Sequence, residues 1–319
     1  MATSMIVCNP NDELVDKFAG IARLFLAQGD SWFSIGALPP EFTSNILLNV
    51  SLDQSSAVVS CAYPGKTLQE MVKWEVETPF ASLLYGGQAW PWEALLLSAG
   101  GNDIIAAVNT LPTETNATKA ALRLLRTPNE RAGVPVASDC SHYVRPDGWA
   151  ALQNTLLACF AAIVQKRDGT GSQSTGVPIL VHSYDYAQPR NAPATWNMPN
   201  IGFGPWLSAA FSAYDIPNAD WLTLVKYLMN SWTTFIAGSS PADDVNAKLL
   251  NSPFNIANAN IHLVHLTGTL TPASIDSTEL DGDWVNEIHP SIPGYIKLGP
   301  VYSTQLPAAP ATLAVAATG

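Results

Sequence analysis

Five short apolar runs punctuate the chain, each of strand length. Leu24-Phe25-Leu26-Ala27 ends at Gln28-Gly29, and Ala57-Val58-Val59-Ser60-Cys61-Ala62 ends at Pro64-Gly65. Ala94-Leu95-Leu96-Leu97-Ser98-Ala99 ends at Gly100-Gly101, and Pro178-Ile179-Leu180-Val181 and Ile261-His262-Leu263-Val264 complete the set. The apolar residues run on without alternating, the pattern of strands covered on both faces in a parallel sheet. Between the runs lie stretches with apolar residues at three- and four-residue steps. The clearest carries Trp149, Leu152, Leu156, Cys159, Phe160 and Ile163, with Asp147 as its expected N-cap. Residues 68–74, 221–232 and 242–250 are further expected helices.

Strands alternating with helices predict a doubly wound α/β fold, one domain over residues 1–305 with a five-stranded parallel sheet. Ligands in such folds bind outside the carboxyl ends of the strands. Three of these ends carry glycine followed by polar residues, so chemistry is sought there. Residues 104–146 break the rhythm, with Pro112, Pro128, Pro135 and Pro146 and only a weak helical patch around 118–125. This stretch reads as an insertion at the carboxyl edge, either a lid or a decorative loop. Residues 306–319 are Ala/Pro-rich and uncharged, and read as a tail.

Composition narrows the function classes. The 319 residues include 15 Lys+Arg against 26 Asp+Glu, a formal net charge of −11, and 47% are hydrophobic. High apolar content with few charges excludes disorder, and an acidic chain without a basic stripe disfavours nucleic acid. No run of about 18 uncharged apolar residues marks a membrane span. The first residues lack the basic and apolar regions of a signal peptide, being interrupted by Asn9, Asp12, Glu13 and Asp16. A cytoplasmic location is therefore expected, although the low charge fraction also suits a secreted protein. Cys8, Cys61, Cys140 and Cys159 form no Cys-x-x-Cys pair, so their spacing gives no zinc or thioredoxin-type site. Cys61 and Cys159 sit in apolar runs and are expected to be buried. No metal or cofactor is expected, and the oligomeric state is not legible.

Three local signals can carry chemistry. Ser31, in Gly29-Asp30-Ser31-Trp32, follows the first strand in a turn that can expose its hydroxyl. That suits a nucleophile, as it also suits a helix N-cap. Of the five histidines, His289 alone lies in a polar loop, Asn286-Glu287-Ile288-His289-Pro290, where it is a candidate general base. Gly100-Gly101-Asn102-Asp103 lets the backbone approach a bound group, and the Asn102 amide can polarise a carbonyl. Gly65 can offer a backbone N–H to the same point, although each of these residues also suits an ordinary turn.

Taken in order, the four blocks resemble those of the SGNH (GDSL-type) hydrolase superfamily, which carry Ser, Gly, Asn and His. They fall on Gly29-Asp30-Ser31, on Gly65 in Tyr63-Pro64-Gly65-Lys66-Thr67, on Gly100-Gly101-Asn102-Asp103, and on His289-Pro290, so the resemblance covers most of the chain. It implies a flavodoxin-like three-layer α/β/α sandwich and ester hydrolysis through an acyl-serine. Ser31 is then the nucleophile and His289 the base, with Ser31 N–H, Gly65 N–H and the Asn102 amide as the oxyanion hole. The family places Asp three residues before the His, where this chain has Asn286. Asn286 is the expected orienting group and Asp283 the next, with Glu287 or a backbone carbonyl as further stand-ins. Trp32 stands where Leu is commonest and is expected in the pocket wall.

Other hydrolase and nucleotide signatures are missing. There is no Gly-x-Ser-x-Gly elbow, no Walker lysine motif and no His-Glu-x-x-His, and Gly169-Thr170-Gly171 lacks the third glycine of a dinucleotide fingerprint. Aromatic residues gather near the expected mouth: Tyr85, Trp90, Trp92, Tyr184, Tyr186, Phe203, Trp206 and Trp284. They suit an acyl chain, an aryl ester or a sugar ring alike, and Trp32, Tyr184 and Trp284 are the expected substrate contacts. The expected partner is a small-molecule ester with a small or medium acyl chain. The alternatives are a carbohydrate acetylesterase, or a catalytically weak module binding carbohydrate or lipid.

Overall fold

The computed structural model describes residues 2–11, 18–34, 44–195 and 202–307. Asp12, Glu13 and Asp16 of the N-terminal reading, and residues 308–319 of the expected tail, lie outside the described residues.

Among these, one parallel sheet holds β1 (Ile6–Cys8), β2 (Arg23–Gly29), β3 (Ser56–Ser60), β4 (Ala94–Ser98), β5 (Ile179–His182) and β6 (Ile261–Val264). The order is β6-β5-β4-β2-β3-β1, every neighbouring pair parallel. The sheet thus has six strands where five are expected. The extra one, β1, is three residues long at an edge, with Ile6 exposed and Asn9-Pro10 directly after it, too short to leave a periodic signal. The five expected strands all form. Every residue of β4 and β5 is buried, and side chains alternate between the faces of a strand, so both faces are covered.

The helices around the sheet include α1 (Ser31–Ser34), α2 (Leu68–Met71), α3 (Gly101–Asn109), α4 (Pro146–Arg167), α5 (Trp221–Ala237) and α6 (Ile292–Ser303). Helix α4 begins earlier than expected. Its N-cap is Arg145, with Pro146 in the first turn, where the missing proline N–H costs nothing, and Asp147 lies inside that turn. This helix is long and apolar enough to cross a membrane, but Leu152, Leu156, Phe160 and Ile163 are buried in the core and it packs on α2 and α3. Residues 104–109 belong to α3, and beyond them short helices at Ala117–Ala121 and Pro128–Arg131 interrupt the stretch taken as an insertion. Cys159 is buried as expected, whereas Cys61 is half-buried, one residue beyond β3.

The chain runs from β2 outward to β3, then crosses back to β4 and on to β5 and β6. The strand order therefore reverses between β2 and β4, and that switch point opens a crevice at their carboxyl ends. Ser31 leaves β2 there, and Asn102 leaves β4 beside it.

Candidate active site

Ser31 opens α1, directly after β2. The turn is held by Asp30: its side chain accepts the Trp32 N–H (3.0 Å), and its carbonyl accepts Phe33 N–H (3.2 Å) and the Ser34 hydroxyl (2.8 Å). The Ser31 N–H has no partner among the described residues and is free to meet an anion.

His289 Nε2 lies 2.9 Å from Ser31 Oγ, although 258 residues separate them. Asn286 Oδ1 accepts the backbone N–H groups of Ile288 (3.1 Å) and His289 (2.9 Å), and it lies 3.0 Å from His289 Nδ1. Two N–H donors fix this atom as the amide oxygen, so Nδ1 must carry a hydrogen. Nε2 of the neutral ring then has its lone pair facing the serine hydroxyl, the tautomer a general base requires. Burial pushes His289 down to about 4, so the ring is neutral at neutral pH and its Nε2 lone pair is free to accept a proton.

Asp283, the second expected orienting group, does not reach the imidazole. Its carboxylate accepts Lys297 Nζ (2.8 and 2.6 Å) and the Thr271 N–H (2.7 Å). Glu287 is engaged as well, by the backbone N–H groups of Arg190 (3.1 Å), Leu207 (2.9 Å), Ser208 (2.7 Å) and Trp206. A buried carboxylate with four such donors is a clamp: it joins the His289 loop to the segment that sets Trp206 edge-on to the imidazole, 5.3 Å between ring centres. Buried Arg190 donates to the carbonyl of Asn286 (3.1 Å) and completes the clamp. Neither Arg190 nor the Glu287 clamp carries a sequence signal, because their partners are scattered over some ninety residues.

Asn102 sits in the first turn of α3. Its Nδ2 gives one hydrogen to the carbonyl of Lys66 (3.0 Å), beside Gly65, and keeps the second. Asp103 accepts the Leu68 N–H (2.7 Å), so two adjacent residues pin the Gly65 segment to α3. Gly100 takes φ +94°, and a side chain there would strike the Trp232 ring; one at Gly101 would strike Tyr184. The pair therefore permits both the tight strand-to-helix turn and the close approach of two aromatic rings. Gly65 is exposed with φ +81° and is not among the residues lining the cavity described next.

Ser31, Asn102 and Trp32 line one narrow cavity of about 50 Å³, whose walls include Ile104, Ile105, Leu207, Leu228 and Met229. Tyr184 lines it too. Trp284 does not: it is buried behind Trp32, 6.1 Å between ring centres. Trp92 is likewise buried, its indole N–H given to the carbonyl of Leu83. Of the residues between 110 and 145, none lines the cavity. Among the described residues, no group of three His, Cys, Asp or Glu is placed to hold a metal ion.

No family model and no curated protein matches the chain. Among solved structures it is similar to an inhibitor-bound aryl esterase from M. smegmatis, at 15% identity over 89% of this chain and 98% of that one, with a TM-score of 0.36. It is similar also to a carbohydrate acetylesterase from Sinorhizobium meliloti, at 14% identity over 88% of this chain and 97% of that one, TM-score 0.34. A third is an acetylxylan esterase from Geobacillus stearothermophilus, at 14% identity over 89% and 93%, TM-score 0.31. The chain resembles the SGNH hydrolases, with an α/β fold around a parallel sheet.

Proposed function

We propose that the protein hydrolyses carboxylic esters through an acyl-serine intermediate. The observation that carries this reading is the unbroken line from Asn286 Oδ1 through His289 to Ser31 Oγ, ending in a cavity that Asn102 also lines. Ser31 Oγ bonds to the acyl carbon as its proton passes to His289 Nε2, and the carbonyl electron pair moves onto oxygen. Ser31 N–H, the second Asn102 hydrogen and the Gly65 N–H are the proposed donors to that oxyanion. His289 then gives its proton to the departing alcohol oxygen as the ester C–O bond breaks. Water repeats the sequence: its proton goes to His289, the acid leaves, and the proton returns to Ser31.

Asn286 orients the ring without a charge to stabilise imidazolium, so turnover is modest beside that of a site with Asp there. The cavity volume favours small acyl groups. One water needs about 10–15 Å³, so about 50 Å³ takes an acetyl to butyryl chain. The same size favours a carbohydrate acetylesterase as the second reading. Hydrolysis of chromogenic acetate and butyrate esters by wild type and Ser31→Ala tests the proposal. Activity lost in a folded alanine variant is expected, and activity retained in it would place the nucleophile elsewhere.

A further inference from the structure

Behind the Ser31 site lies a second line of polar contacts, from Asp30 through Ser98 to His182, all three fully or almost fully buried. Ser98 Oγ is 2.6 Å from Asp30 Oδ1 and 2.8 Å from His182 Nε2. His182 Nδ1 is 2.9 Å from the carbonyl of Ser183, which can only accept, so Nδ1 carries a hydrogen. The Tyr184 hydroxyl supplies the hydrogen at Asp30 Oδ2 (2.5 Å), and Trp32 N–H supplies one at Oδ1. Two contacts then remain around Ser98, and its hydroxyl has a single hydrogen. One more proton has to reside on Asp30 Oδ1 or on His182 Nε2.

We propose that Asp30 is a neutral carboxylic acid near pH 5, hydrogen-bonded through Ser98 to a neutral His182, and that in this form it positions the Ser31 turn. With the proton on Oδ1, Asp30 donates to Ser98, Ser98 donates to His182 Nε2, and every group in the line is satisfied. The titratable groups that face the line offer no cation to an ionised Asp30. They are Asp103 of α3, Tyr184 after β5, and Tyr295 and Tyr302 of α6, the last two with unpartnered hydroxyls. Burial raises Asp30 to about 6, with ring-packed His182 pushed by burial down to about 4, so the proton belongs to the carboxyl. Asp30 also lines the Ser31 cavity, so its ionisation sets a negative charge beside the point where the proposed mechanism gathers another.

Infrared spectra of protein labelled with carbon-13 aspartate test the protonation. Below about pH 6 a carboxylic-acid band is expected that disappears in Asp30→Asn; should that variant not fold, Ser98→Ala must shift the band by removing the proton's acceptor. No such band, or a band that neither substitution alters and so belongs to Asp103, overturns the proposal. A second arm rests on the esterase reading. Between about pH 5 and pH 8 wild-type kcat/KM falls about tenfold through kcat, and the fall is missing from Asp30→Asn. The same fall in both proteins overturns the positioning role. A protein that shows the band but hydrolyses no ester refutes the esterase reading and leaves the proton assignment standing.

Discussion

Two serine–histidine pairs stand one behind the other in this fold, and they differ less in distance than in access. Ser31 and His289 are 2.9 Å apart, Ser98 and His182 2.8 Å, and burial lowers both imidazoles to about 4. Ser31 is 5% exposed and lines the cavity; Ser98 is 0% exposed and does not line it. The hydroxyl hydrogen of Ser31 has one acceptor, the histidine. Ser98 Oγ has two partners, giving its hydrogen to the histidine and meeting the Asp30 carboxyl on its other side. Residue types and contact distances thus do not by themselves make a nucleophile. A route to substrate and a hydroxyl not already claimed by a second partner decide which pair is poised for chemistry.

The comparison breaks most visibly under alanine substitution. Ser31→Ala is expected to cost about 10⁴–10⁶ in kcat and Ser98→Ala about tenfold, measured on a chromogenic ester. Similar losses at both serines would erase the distinction. Asn102→Ala should cost about 10²–10³ in kcat through the oxyanion, with little change in KM. Asn286→Asp adds a charge behind His289 alone: kcat should rise about tenfold and the acid limb of the profile should move to higher pH. Asp283→Asn breaks only the pair with half-exposed Lys297 and should cost less than about 1 kcal/mol of stability.

A last expected effect, read on stability rather than on turnover, treats the two histidines alike. Each titrates near 6.5 unfolded and near 4 folded, so the unfolded chain binds the extra proton between those values. The stability each contributes is present above about 6.5 and is lost as pH falls toward 4. The advantage of wild type over His182→Gln, and over His289→Gln, should therefore shrink across that window by similar amounts in denaturant titrations. A gap that widens on acidification contradicts burial as the cause of either shift.

The first line of contacts was largely legible in the chain because its parts lie at strand ends marked by glycine. Ser31, Asn102 and His289 each stand in a short polar block after an apolar run or in a proline-held loop, and continuous apolar runs marked five of the six strands. The second line left no local trace. Ser98 reads as the lone polar residue inside an apolar run that continues to Ala99 and His182 as the polar end of another, and their partners are 68 and 84 residues away. The same long range hid the Glu287 clamp, whose meaning lies in two distant backbone segments, at Arg190 and at residues 206–208. Asp283 and Trp284 misled for the opposite reason. They stand near His289 in sequence, but Asp283 turns to Lys297 and Thr271, and Trp284 packs into the core behind Trp32.

Covalent labelling tests most directly the claim that the outer serine alone is activated. Wild-type protein would be treated with an organophosphonate, and its peptides mapped by mass spectrometry. One label per chain is expected, on the peptide containing Ser31, with none on Ser98 and none in His289→Gln. No label at all, or a label on another residue, contradicts that claim.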